Sequence, residues 1–419
     1  MTADASVYAP LTNAPSKAPA VTQPVMRTNT DKKPWRETPL VESANLSEAA
    51  GWLALPRHGL LNWRSRIFLK LETLQPSGSF KSRGIGHYCQ VALSRSARSE
   101  AVHFYASSGG NAGLACVFAA KSLGRPSTVV VPQSTKPMMI AKIRAAGATQ
   151  VIQEGKSLKE AISHLQEVVM PEAQARGEEA VFVPPFDHEN VWKGNQTVFE
   201  EVAKQMHDQG NGEADVMACS VGGGGLLIGL LQGMAEAGWR KTQVLAVETK
   251  GADSLSESLK MGELVALPGI SSEATSLGAV KVADRCFDLA QRYEAAGLVR
   301  SVVLSDAEAA MGCWRFADDE KSLVELACGV NLALCYGGRL DKALGRKVKP
   351  KDKVVIIVCG GSNVTTAMVE GWRQEYGYLD DRIAPEVPSA KTGLGVDLPS
   401  YGMPLDQAGG MAGFMPIRV

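Results

Sequence analysis

Four short stretches of the chain gather the residue types that do chemistry. "QPSGSFKSRGIGHY" (75–88) places one amine, Lys81, between a Ser/Gly-rich turn and the start of a helix-like segment, with Phe80 before it. A neutral lysine amine is a nucleophile toward carbonyl compounds and a base, although most lysines are solvated surface groups. "SVGGGGLL" (220–227) sets Gly222, Gly223, Gly224 and Gly225 ahead of Leu226. Such glycines permit conformations and close approach that a Cβ forbids, and the N–H groups opening a helix from Leu226 make an anion site. The plainer reading is a tight turn, for which two glycines suffice. "SSGGNAG" (107–113) and "CGGSN" (359–363) add hydroxyl, amide and thiol groups in two more glycine-rich loops.

The phosphate for which the glycine loop is suited is narrowed by what the chain lacks. G-x-x-x-x-G-K-[ST] is absent, and G-x-G-x-x-G counted from Gly222 fails at Leu227. Glu248, at the end of the next strand-like run, keeps a nicotinamide dinucleotide open, because a ribose needs an acidic residue about 20 positions on. A phosphate held without nucleotide features, together with a lysine in a Ser/Gly loop, points to pyridoxal 5'-phosphate. Lys81 would form the Schiff base and the glycines would hold the phosphate. Cys359 is then a candidate for the group facing the pyridine nitrogen, with an ordinary core cysteine as the alternative.

Positioning these loops requires strands and helices in alternation, and the chain has that rhythm. Short β-branched runs such as "IFLKLE" (67–72), "VHFYAS" (102–107), "STVVVP" (127–132), "DVMACSV" (215–221), "QVLAVE" (243–248) and "KVVIIVCGG" (353–361) are separated by helix-length segments. This is the signature of parallel α/β sheets, whose ligands sit beyond the C-terminal strand ends. Ser305 and Glu308 form a capping-box pattern, and Gly124 with Pro126 closes an earlier helix. Three of the four loops follow a clear strand and should converge on one cleft.

Bulk properties agree with a small-molecule enzyme. The chain has 419 residues, enough for two lobes, and its 44 Lys+Arg balance 44 Asp+Glu, so no charge excess draws it to nucleic acid. No apolar run reaches the roughly 20 residues of a membrane helix. The eight cysteines are scattered, without C-x-x-C or zinc spacing, and read as reduced thiols of a cytoplasmic protein. The expected organisation is a flexible tail over 1–37, a large lobe from 38–77 and 183–383, a small lobe over 78–182, and a tail or arm over 384–419.

Together, "PSGSFKSRG", "SSGGNAG", "SVGGGGLL" and "VCGGSN", in this order and with "PPFD" and "ETKGADS" between them, resemble the fold type II pyridoxal-phosphate enzymes, and within them the L-serine dehydratases/L-threonine deaminases. The likeness spans about residues 38–376. It implies two lobes, each with a mainly parallel twisted sheet flanked by helices, a homodimer, and elimination of L-serine to pyruvate and ammonia or of L-threonine to 2-oxobutanoate. By matching position it implies Lys81 as the Schiff-base lysine and Phe80 against the cofactor ring. Gly222 to Gly225 with Leu226 would bind the phosphate, and Cys359 would face the ring nitrogen. Ser108, Gly109, Asn111 and Ala112 would hold the substrate carboxylate, with Asn111 also near the cofactor's phenolic oxygen.

The resemblance further implies K+ or another monovalent cation, bound by the Glu248 side chain and the carbonyls of Gly222, Ala252, Leu277 and Ala279. Two departures stand out. Gly109 replaces a frequent Ala, which predicts a roomier carboxylate loop, and Leu326 replaces a usual Pro. β-Replacement chemistry or a specialised β-substituted substrate fits the same loops. His87 and His188 lie near them but read as ordinary helix and loop positions.

Overall fold

The computed structural model describes residues 33–51 and 65–380. The expected C-terminal tail and most of the N-terminal one lie outside these residues. Ten strands form two sheets. The larger runs β1-β2-β10-β7-β8-β9, with β1 Leu40–Ser43, β2 Arg66–Leu71, β7 Val216–Ser220, β8 Gln243–Thr249, β9 Val299–Leu304 and β10 Lys353–Val358. The smaller runs β5-β4-β3-β6, with β3 Val102–Ser107, β4 Ser127–Val131, β5 Gln150–Gln153 and β6 Glu179–Phe182.

Every pairing is parallel except β1 with β2, an antiparallel edge that the sequence reading did not anticipate. At four residues, "LVES" is too short to show a period. Strands β3 and β7 are buried along their whole length, which explains why their apolar runs do not alternate. The edge strand β5 is exposed at both ends and carries glutamines there.

The order of the larger sheet decides the site. β2, β10 and β7 are neighbours although far apart in sequence, so their C-terminal ends bring three of the four loops side by side. The fourth loop leaves β3, a central strand of the smaller sheet. The helix Lys81–Arg95 packs its Ile85, Cys89 and Leu93 with Val102 and Phe104 of β3, so the lysine begins an element of the smaller lobe. The anticipated capping box is present at Ser305 and Glu308.

Candidate active site

All four loops line one cavity of about 510 Å³ between the sheets. Two of them are stitched together. Gly361 N–H donates to Gly78 O at 2.9 Å, Phe80 N–H donates to Cys359 O at 3.2 Å, and Ser79 bridges Gly360. A Cβ on Gly360, at φ +83°, would lie 2.3 Å from Gly78 O, so the contact needs glycine. This short ladder places Lys81 and Cys359 in one register on the same wall.

Lys81 is the first residue of its helix. Its Nζ donates to Pro185 O at 2.6 Å and lies 5.4 Å from the Phe80 ring and 6.0 Å from the Phe186 ring. No carboxylate among the described residues pairs with it. Burial pushes its pKa down to about 8, and the nearby Cys359 thiol opposes the shift only in part. About a tenth of the amine is therefore neutral at pH 7, several-hundred-fold more than at an ordinary lysine and enough to serve as a nucleophile or proton acceptor.

Two residues on, Arg83 faces away from the cleft. It is fully buried and donates to both oxygens of Glu72, at 2.7 and 2.8 Å, and to both oxygens of Glu201, at 2.6 Å each. Burial works against its charge, but the two carboxylates more than offset that and raise its pKa. This cluster anchors the start of the lysine helix to the short turn Glu72–Leu74 that follows β2 and to the helix Glu189–Asp208 of the larger lobe.

The glycine loop ends in a helix that begins at Gly225, one residue before the expected Leu226, and no side chain caps it. Among the described residues, the N–H groups of Gly222 to Leu226 find no acceptor, so a cluster of donors is left for an anion. The glycines are also required by packing: a Cβ on Gly223 would lie 2.3 Å from the Phe186 ring, and one on Gly224, at φ +88°, 2.4 Å from Cys286 Sγ. These features fit a phosphate group.

Asn111 opens the helix Asn111–Ser122, which likewise lacks a side-chain cap. Its Nδ2 donates to Glu325 Oε1 at 2.7 Å and Ser276 Oγ at 3.3 Å, and its Oδ1 accepts from Ser362 N–H at 2.9 Å. Ser108, Gly109 and Ala112 share this wall of the cavity. The expected extra room at Gly109 is not there. A Cβ would meet Thr135 Cγ2 at 2.4 Å and Oγ1 at 2.6 Å, so the threonine fills the space that an alanine methyl would take.

Cys359 is 5% exposed, and its Sγ lies 3.2 Å from Ser220 Oγ. Burial pushes its pKa up to about 11, with hydrogen bonds from Ser220 partly offsetting the rise, so the thiol is neutral at pH 7. Glu248 is fully buried, its pKa pushed up to about 8 by burial despite backbone donors. Its two oxygens accept from Leu255 N–H at 2.9 Å and Ser256 N–H at 2.8 Å, which caps the helix Ser254–Met261. Gly222, Leu277 and Ala279 line the cavity together, and Ala252 is buried.

Several groups here escaped the sequence reading. Glu325, next to the noted Leu326, sends a buried carboxylate to Asn111 and to Asn363 N–H at 3.0 Å. Burial raises its pKa, with hydrogen bonds from Ser276, Asn363 and Asn111 opposing. Gly361 marks its entry, since a Cβ there would lie 2.0 Å from the Glu325 carboxyl carbon. Thr135 had no signal beyond neighbouring prolines, and Phe186 stood in the quoted "PPFD" stretch without a role assigned to it. His188 accepts from Asn190 N–H as a helix cap, His87 packs edge-on to Trp35, and neither lines the cavity.

A fold type II architecture with an amine, a phosphate cradle and a thiol on one cavity defines a class of cofactor-dependent enzyme. Residues 32–360 match the family model of the pyridoxal-phosphate dependent enzymes, and the chain belongs to that family. Within it, the chain is 39% identical over 343 residues to the L-serine dehydratase/L-threonine deaminase of Bos taurus, covering 81% of this chain and 95% of that one. It is 42% identical over 309 residues to an L-serine dehydratase of Saccharomyces cerevisiae, covering 72% and 89% respectively. Among solved structures it superposes on a fungal L-serine ammonia-lyase from Rhizomucor miehei with a TM-score of 0.71, at 32% identity over 82% of this chain and all of the other. The family match overturns the nicotinamide alternative raised by Glu248.

Proposed function

We propose that the cleft eliminates the β-hydroxyl of L-serine as water and releases an enamine that water then hydrolyses to pyruvate and ammonia, and that it treats L-threonine in the same way to give 2-oxobutanoate and ammonia. The observation that carries this reading is the uncompensated amine of Lys81 in a cavity that is also lined by an uncapped glycine loop and an uncapped Asn111 helix. Pyridoxal 5'-phosphate, held by Lys81 and by Gly222 to Leu226 and flanked by Phe80, supplies an electron sink for the bond to the Cα proton.

Lys81 then holds or accepts the Cα proton at its Nζ, whose pKa burial lowers to about 8. Ser108, Gly109, Asn111 and Ala112 would bind the substrate carboxylate, and Asn111, braced by Glu325 and Ser362, would also face the phenolic oxygen. Cys359 would face the ring nitrogen as a neutral thiol. It leaves that nitrogen without a strong proton donor, which favours loss of a β-group over racemisation or transamination.

Glu248, with the carbonyls of Gly222, Ala252, Leu277 and Ala279, binds a monovalent cation such as K+, which would relieve the cost of a buried carboxylate. The small lobe of 78–182 carries the carboxylate loop together with Phe80 and Lys81, and the large lobe carries the phosphate loop and Cys359. We place the protein in the cytoplasm as a homodimer. All eight cysteines are free and buried, as a reducing compartment allows, and no helix among the described residues is long and apolar enough to cross a membrane. Pyruvate formation from L-serine alone tests the reading. Formation of a new amino acid only when a thiol is added would replace it with β-replacement.

A further inference from the structure

The helix Leu326–Ala333 is buried at every position, and apart from Asn331 its side chains are apolar, a thiol or absent. Asn331 is fully buried. Its Nδ2 donates to Ile357 O at 3.2 Å and to Cys359 Sγ at 3.7 Å, while its Oδ1 has no partner. An unmet buried acceptor is costly, and an apolar residue of similar size would avoid the cost, so packing alone does not account for the amide. Its orientation is set: exchanging Oδ1 and Nδ2 would bring two acceptors together at Ile357 O.

The sulfur has two other contacts. It donates to Ile357 O at 3.4 Å or shares a hydrogen with Ser220 Oγ at 3.2 Å. Asn331 competes for the first of these acceptors and occupies a lone pair of the sulfur. We propose that Asn331 is a positioning residue for Cys359. It turns the thiol hydrogen away from the Ile357 carbonyl toward the cavity and, by donating to sulfur, makes the thiol a stronger hydrogen-bond donor to the ring nitrogen. The second half rests on the reading that Cys359 faces that nitrogen.

The ionisable groups around Cys359 are the Lys81 amine, the carboxylates of Glu72 and Glu325, and the thiols of Cys219 and Cys328. None is altered by a substitution at 331. The test uses the full-length chain freed of cofactor with hydroxylamine, and follows alkylation of Cys359 by iodoacetamide against pH with peptide mass spectrometry. Asn331→Leu keeps the volume and removes the unmet acceptor, so it should fold. Losing a hydrogen bond to a developing thiolate should shift the profile up by about one pH unit and slow alkylation at fixed pH about tenfold.

In the cofactor-loaded protein the same change should shift the visible absorbance, and it should do nothing further in a Cys359→Ala background. An alkylation profile within about twofold of the parent chain in folded Asn331→Leu overturns the proposal. A shifted profile with an unchanged spectrum keeps the tuning of the thiol and overturns the placement of Cys359 at the ring.

Discussion

Two buried amines flank the Ser/Gly turn, Lys70 in β2 and Lys81 at the helix start beyond it. Lys70 is fully buried, and its Nζ donates to Glu201 at 2.7 Å, Thr38 O at 2.6 Å and Gln205 at 3.0 Å. Burial lowers its pKa, but Glu201 restores part of the loss, so it serves as one cation of the network that also holds Arg83, Glu72 and Glu201. Lys81 has a single carbonyl and no counter-charge. Desolvation alone is common to both lysines. The missing carboxylate is what makes one reactive and the other structural.

Five predictions break or sharpen that contrast. Removing the amine has the largest effect: Lys81→Ala should lose all detectable turnover and the visible absorbance of bound cofactor, and retained pyruvate formation would refute its role. On the other side of the turn, Arg83→Gln leaves the buried Glu72 without its cation and Glu201 with Lys70 alone, and should cost about 3–5 kcal/mol in urea unfolding.

The lysines should also differ in how they bear on stability. The folded pKa of Lys81, about 8, lies below the usual 10.5, so its charge opposes folding fully below pH 8. That penalty fades as pH rises from about 8 to 10.5. Lys81→Met should therefore stabilise the cofactor-free protein at pH 7 by at most about 3 kcal/mol, with the gap closing by pH 10.5. A loss of stability would equate it with Lys70. The same amine predicts that uptake of pyridoxal 5'-phosphate accelerates with pH up to about 8 and then levels off, followed by stopped-flow absorbance.

The smallest effect concerns the wall facing Lys81. Gly109→Ala should lower kcat/KM about tenfold, because overpacking by one methyl costs on the order of 1–3 kcal/mol. Adding Thr135→Ala should restore most of that loss. Additive losses in the double variant would mean that the two residues do not share the space.

How much of this was legible follows from range. Lys81, the glycines and Cys359 announced themselves because each sits in a motif whose neighbours are adjacent in sequence. Gly109 misled for the same reason: its missing methyl is visible in the chain, whereas Thr135, which fills the hole, comes from a different loop. Glu325 had no local signal at all. It was found only because Asn111, Asn363 and Gly361 close around it.

The sequence by itself determined the alternation of strands and helices, the helix starts, the reactive residue types and the family to which they point. These depend on periodicity and on turn chemistry within a few residues. The tertiary structure alone decided that β2, β10 and β7 lie side by side, that Arg83 takes its carboxylates on the far face while Lys81 receives none, and that Asn331 lies against the Cys359 sulfur. Strand order and buried charge are set by packing between distant segments, and desolvation acts on an amine only after those segments have closed around it.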